Sequence, residues 1–382
     1  MDVGPLPEPR RSWRPAGCDR IGLLLQGGGA LGAYQAGVYQ GMHEVGVEPD
    51  WLAGVSIGSI NAALIAGNPM ERRLGALQEF WQAITLRPVW GFLPASDQLR
   101  KLHNSWSNVL TISLGQPGFF TPNLISPWLQ SPGAPGATAF YDSAALRETL
   151  ARLVDFDLIN NGDVRFAVGA VNVATGNFTY FDNAEVTITA DHIMASGALP
   201  PALPMIDIGG EFFWDGGIVS NTPLQHLLDH IRGQNALVFQ VDLFSARGVV
   251  PRDMPEVLGR AKDIQFSSRT RLTTDYYRLA HAQRVQLRRL LDKLPAESLS
   301  DEEQTLKADL ATLPSINILQ LIYQQAAHEG QAKDYDFSKS SMREHWAAGL
   351  RDTVATLAHR DWLTMPSDES GIVTHDIHRP PA

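Results

Sequence analysis

The chain has 382 residues, 44% hydrophobic and 19% charged, with 33 Gly, 24 Pro and one Cys. This suits one large or two ordinary globular domains and excludes wholesale disorder or a fibrous chain. Cys18 alone rules out an intrachain disulfide and a cysteine-built metal site. With 41 acidic against 31 basic residues, net charge −10, no nucleic-acid partner is expected for the protein as a whole.

Residues 1–19 form an N-terminal tail that mixes charges with prolines, and the apolar run 21–25 after it is too short for a secretory signal. Residues 21–42 and 51–70 carry no charge but are rich in Gly, Gln, Ser and Asn, as buried strand–turn–helix segments are and lipid-facing helices are not. A cytoplasmic protein is expected, with peripheral membrane contact as its closest approach to lipid.

In chain order, residues 20–26 read as a buried parallel strand ending at three glycines, and 30–45 as a helix with Leu31, Tyr34, Val38, Met42 and Val45 in one stripe. A second strand (51–55) and a second helix (57–66) follow, the helix stopped by Gly67-Asn68-Pro69. Strand, helix, strand, helix predicts a layered α/β domain with a largely parallel sheet. Residues 71–141 form a looser insertion holding four of the nine tryptophans. It reads either as helices packed into the core or as a mobile cap over an apolar site. Strands are expected at 164–173 and 178–181, joined by a hairpin turn, then a helix at 190–196 and strands at 212–214 and 237–243. After a linker near 245–255 the chain, residues 246–382, turns mainly helical, with one further strand at 315–319.

Two glycine motifs compete for the chemistry. Gly27-Gly28-Gly29-Ala30-Leu31-Gly32 satisfies G-x-G-x-x-G between a strand and a helix, as in a dinucleotide-binding protein. That reading needs an acidic residue at the end of the next strand, where Gly54-Val55-Ser56-Ile57-Gly58 stands instead. G-x-S-x-G at a strand-to-helix turn projects a serine oxygen from the top of a sheet, making Ser56 the candidate nucleophile. The earlier glycine turn then offers backbone N–H groups to an oxyanion. The base stays open between two schemes. One is a triad using a histidine such as His192, His226, His230 or His281. The other uses Asp215 directly, ahead of Gly216 and Gly217.

Four blocks in order carry a family resemblance: residues 27–32, 54–58, Ala195-Ser196-Gly197-Ala198-Leu199-Pro200-Pro201, and Asp215-Gly216-Gly217. Together they resemble the patatin-like phospholipases over about residues 21–242. The resemblance implies a three-layer α/β/α catalytic domain (20–245) and hydrolysis of lipid or lipid-like acyl esters through a Ser-Asp dyad, with no cofactor or metal. It makes Ser56 the nucleophile, Asp215 the base, Gly27, Gly28 and Gly29 the oxyanion hole, and Gly32, Gly54, Gly58, Gly216 and Gly217 its support. Leu31 departs from the family, whose loop usually has Lys or Arg there. The tail around 333–349 resembles a C-terminal extension of some bacterial patatin-like proteins, for which docking or homo-oligomerisation is expected. Residues 260–293 hold nine basic and three acidic residues and read as one amphipathic helix, suited to anionic headgroups or to docking on an acidic domain. The spacing of His226 and His230 would suit two metal ligands, but Leu227 stands where a zinc protease needs Glu.

Overall fold

The computed structural model describes residues 13–85 and 115–379, apart from 232, 268, 327, 328, 331, 368 and 369. Much of the expected cap, residues 86–114, lies outside the described residues.

Apolar runs bounded by turns become central strands. The first, β1 (Arg20–Leu25), is buried at all but its first residue, and β2 (Trp51–Val55) along its whole length. Between them come a 3-10 turn at Gly29–Gly32 and helix α1 (Ala33–Glu44). After β2 follow α2 (Ile57–Ala66) and α3 (Met70–Ala83). A two-stranded ribbon, β3 (Thr121–Pro122) with β4 (Tyr141–Asp142), leads to α4 (Ala144–Leu153) and α5 (Phe156–Asn161). The expected hairpin forms as β5 (Arg165–Asn172) and β6 (Phe178–Asp182), followed by α6 (Ala190–Ser196), β7 (Ile206–Ile208), β8 (Glu211–Asp215), α7 (Leu224–His230) and β9 (Ala236–Asp242).

The sheet does not stop at residue 245. Beyond α8 (Met254–Phe266), α9 (Thr270–Leu291) and α10 (Asp301–Ala311), the strand expected near 315–319 forms as β10 (Ile316–Ile322), parallel to β9. After α11 (Lys339–Ala358), β11 (Ile372–Asp376) pairs in parallel with β10. The single helix expected over 260–293 is instead two. Ser267 adopts an extended conformation, and its hydroxyl donates to the Ile264 carbonyl at 2.9 Å, a local bond that competes with helix continuation.

Among the described residues nine strands form one sheet, and β11, β10, β9, β1, β2 and β5 run in parallel in that order. Side-chain alternation splits the core into two layers. Ile21, Leu23 and Leu25 of β1 join Leu237, Phe239 and Val241 of β9 under α1, α2 and α3, whereas Leu24, Ala236 and Val238 face α7. The result is a three-layer α/β/α fold with a mainly helical C-terminal region. Its last helix is tied to the core: a Cβ at Gly37 of α1 would overlap the Trp346 carbonyl, and one at Gly349 of α11 would overlap that of Tyr34.

The β5 edge positions the chemistry. β6 pairs with Ala167–Val171 on one side, so β2 (opposite 165–169) and β8 (opposite 170–172) must share the other. They arrive from opposite directions. The end of β2 meets the end of β8.

Candidate active site

Ser56 follows β2 and caps the N-terminus of α2 with φ 55° and ψ −126°, the one non-glycine residue at positive φ among the described residues. Such a conformation persists only where its surroundings enforce it. Its N–H donates to the Ser196 carbonyl (3.1 Å) and Ser196 Oγ (3.0 Å), and its carbonyl accepts from Ser59 Oγ at 2.6 Å. The elbow leaves no room for side chains at either motif glycine. A Cβ at Gly54 would overlap Gly58, and one at Gly58 would overlap the Leu25 carbonyl.

Asp215 ends β8 and is 2% exposed. Burial pushes its carboxyl up to about 6, against the opposing influence of the nearby Ser56 hydroxyl and of the Gly217 N–H, which donates to Oδ1 at 2.7 Å. Its own N–H donates to the Ala198 carbonyl at 3.0 Å. The segment 196–198 therefore holds the backbones of both Ser56 and Asp215. A Cβ at Gly216 would come within 2.5 Å of the Gly169 carbonyl, so Gly216 allows β8 to close on β5.

The glycine turn lies over the serine. A Cβ on Gly27 would come within 2.9 Å of Ser56 Cβ. The three glycines are not equivalent, however. The Gly27 N–H donates to Asn221 Oδ1 at 3.1 Å, so in this structure it is occupied rather than open to an oxyanion. Gly28 and Gly29 show no backbone N–H partner among the described residues. Asn221 Nδ2 donates back to the Gly27 carbonyl (3.1 Å) and to the Phe266 carbonyl (3.0 Å), tying the loop to α8. Gln26 adds a second tie, its Oε1 accepting from the N–H groups of Leu243 and Phe244. From below, Trp81 Nε1 donates to Asn61, Asn61 to Gln35, and Gln35 to the Gln26 carbonyl at 2.6 Å. Neither Asn221 nor Gln26 was singled out by sequence reasoning. The one available signal for Asn221 was a polar residue six positions after Asp215.

Ser56 and Asp215 open into a cavity of about 470 Å³ with largely apolar walls, among them Ile60, Phe119, Phe120, Leu203, Phe244 and Phe337. The C-terminal region closes one side. A Cβ at Gly29, whose φ is +53°, would overlap the Asp334 carbonyl, and Lys262, Asp334 and Tyr335 all line the space. Lys262 Nζ lies 2.7 Å from Asp334 Oδ1, so α8 supplies a cation to this cavity. In the glycine turn itself, Leu31 is fully buried. Burial, with nearby Asp334, Tyr141 and Asp215 adding to it, pushes the Tyr335 phenol up to about 12, keeping it a neutral donor.

The four candidate histidines lie elsewhere. His226 Nε2 is 2.8 Å from Asp182 Oδ2, His230 Nδ1 meets the His226 carbonyl, His192 caps α6 with Thr189, and His281 packs beneath Gly371. Among the described residues no histidine lines the cavity, so the triad expectation finds no histidine partner there. The dinucleotide expectation fails at the end of β2, where Ser56 occupies the place an acidic ribose ligand would need.

Two family models match the chain. Residues 23–228, more than half of the chain, match the family model described as patatin-like phospholipase, and residues 264–369 match one described as patatin phospholipase. The chain is similar to lysophospholipase nte1 of Aspergillus niger (25% identity over 244 residues, 63% of this chain and 13% of that protein). It is likewise similar to lysophospholipase NTE1 of Yarrowia lipolytica (24% over 242 residues, 63% and 14%). It thus spans about one seventh of the length of these relatives, which are fungal. Among solved structures, VipD from Legionella pneumophila aligns with TM-score 0.37 and 12% identity over 92% of this chain and 71% of that one. The type III effector ExoU aligns with TM-score 0.31 and 15% identity over 91% and 54%. On the match over residues 23–228, the chain belongs to the patatin-like phospholipase family.

Proposed function

We propose that this chain is a serine acyl-ester hydrolase acting on lipid esters, with Ser56 as nucleophile and Asp215 as its base. The observation that carries the reading is the Ser56 hydroxyl placed beside the buried carboxyl of Asp215 at an apolar cavity. Asp215 accepts the Ser56 proton as Oγ attacks the ester carbonyl. The tetrahedral oxyanion takes hydrogen bonds from the Gly28 and Gly29 N–H groups, with the positive end of α2 beneath it. The alcohol leaves with the proton, and water, deprotonated by Asp215, then frees the acid from acyl-Ser56. A carboxyl raised to about 6 is a better base than an ordinary aspartate and is still ionised at neutral pH.

The walls suit an acyl chain, and the relatives' name makes lysophospholipids the first substrates to try. Peripheral membrane contact belongs to the same reading. Leu124, Ile125, Trp128 and Leu129 are exposed on the loop between Phe120 and Tyr141, both of which line the cavity. For residues after 245, the match over 264–369 supports an extension within the patatin family, and we read it as the bacterial type from the resemblance of the tail at 333–349. Exposed Leu279 and Leu290 on α9 would supply a homo-oligomer contact there, which sedimentation at several concentrations checks. The test of the activity is release of fatty acid from lysophosphatidylcholine and a panel of other acyl esters. Wild type should hydrolyse at least one of them and Ser56→Ala none, and equal turnover by the two would refute the reading.

A further inference from the structure

A second cleft opens at the same end of the sheet, the carboxyl end of its parallel strands. It lies where the parallel strands β9, β10 and β11 end, and α9 begins beside it. Open α/β sheets bind ligands outside the carboxyl ends of their strands, and β2 delivers Ser56 by the same geometry. The cleft is about 400 Å³ and is lined by Arg247, Arg271, Arg278 and Arg379 against one acidic residue, Asp275. In a chain of net charge −10 that local excess of positive charge needs a reason.

The arginines come from three elements, so no single basic segment explains their convergence. Arg271, Thr274, Asp275 and Arg278 fall on one face of the first turns of α9, Arg247 follows β9, and Arg379 follows β11. Arg278 is pre-positioned, its Nε donating to the Ile372 carbonyl at 3.1 Å, Nη2 to Thr374 Oγ1 at 3.3 Å and Nη1 to Asp275 Oδ1 at 3.3 Å. Arg379 Nε is 3.0 Å from Asp376 Oδ2. Arg271 is held loosely, its Nε 3.8 Å from Asp275 Oδ2 and its side chain 87% exposed. On the cleft wall Gln320 is 3% exposed, and its side-chain oxygen is buried without a hydrogen-bond partner. A buried acceptor left unpaired is costly, and a ligand hydroxyl would satisfy it.

We infer that this cleft binds a phosphate ester, its phosphate held by the arginine forks and a hydroxyl of the ester reaching Gln320. Planar guanidinium groups match phosphate oxygens in pairs, and the hydroxyls of Thr274 and Thr374 add neutral polar lining. The cleft is larger than one phosphate needs. The phosphate can belong to a soluble ester or to a lipid headgroup. Exposed Leu272 and Tyr276, next to Arg271 and Asp275 on α9, are placed to meet a bilayer in the second case.

The test measures binding of glycerol 3-phosphate, and separately of phosphatidylcholine vesicles with and without phosphatidic acid, to the full chain. It compares wild type, Arg271→Ala/Arg379→Ala, and Arg152→Ala as a control at the surface pair with Glu79. Thermal unfolding shows that each variant is folded, and Arg271→Ala alone serves if the double variant is not. Saturable binding that weakens at least tenfold in the cleft variant but not in Arg152→Ala is expected. If glycerol 3-phosphate shows it, the cleft takes a soluble ester. If only the phosphatidic acid vesicles show it, the cleft takes a headgroup. Equal binding by wild type and cleft variant, or no saturable binding of either probe, would overturn the inference.

Discussion

Ser56 and Asp215 approach one another from opposite directions along a single edge of β5. Val55, just before the serine, pairs with Gly169, and Asp215 pairs with the next residue, Ala170. A parallel and an antiparallel strand thus end face to face. The segment 196–198 hydrogen-bonds the backbone of each, so the pair is held by sheet register and by this shared segment.

Asp215→Asn should reduce turnover by 10³-fold or more, because an amide cannot accept the serine proton. The same change should not harm the fold. A carboxyl raised from 3.8 to about 6 binds a proton in the folded state more readily than in the unfolded one. Its stabilising contribution is therefore complete below pH 3.8 and lost as pH rises through about 6. By pH 8 ionised Asp215 costs on the order of 3 kcal/mol. Thermal unfolding should show the Asn variant at least as stable as wild type at pH 8, with the difference vanishing near pH 4. A large loss of stability at pH 8 would contradict this.

For wild type, kcat/KM should fall tenfold per pH unit below about 6, as Asp215 becomes protonated. A profile flat down to pH 4.5 would show that the base is another group.

Asn221→Ala removes the acceptor of the Gly27 N–H and the tie to Phe266. Leaving a buried N–H unpaired costs about 1–3 kcal/mol of stability. Loosening the loop beside the proposed oxyanion donors should lower kcat roughly 10–100-fold, less than the roughly 10²–10³-fold lost when such a donor is itself removed. KM should change little. Steady-state kinetics with a chromogenic ester checks this, and unchanged kcat would remove Asn221 from the site's support.

Phe119→Ala opens the apolar wall where Phe119 meets Phe120 and Phe337. Its effect should grow with acyl length, raising KM about tenfold for long-chain esters and little for acetate. A chain-length series reads the difference directly.

Much of this was legible in the sequence, for a physical reason. Strands buried on both faces, such as β1 and β2, read as continuous apolar runs, and the sharp turns at 27–32 and 54–58 require glycine where neighbouring atoms leave no space. Short-range signals therefore located Ser56 and the loop above it. Long-range relations were hidden. The hydrogen bond from Gly27 to Asn221 spans 194 positions, and no local pattern announces it. β11 is a five-residue strand with only one fully buried position, too weakly patterned to stand out. The break at Ser267 depends on a side-chain bond to Ile264, which helical periodicity does not encode. The C-terminal wall of the cavity, with Asp334 against Gly29, emerges only once β10 has joined the sheet.

The most direct measurement is labelling by a fluorophosphonate, which reports an activated serine without a choice of substrate. Wild type should label at Ser56, and both Ser56→Ala and Asp215→Asn, folded by thermal unfolding, should not. Equal labelling of Asp215→Asn and wild type would contradict Asp215 as the base, and wild type that stays unlabelled even with lipid vesicles present would contradict the hydrolase itself.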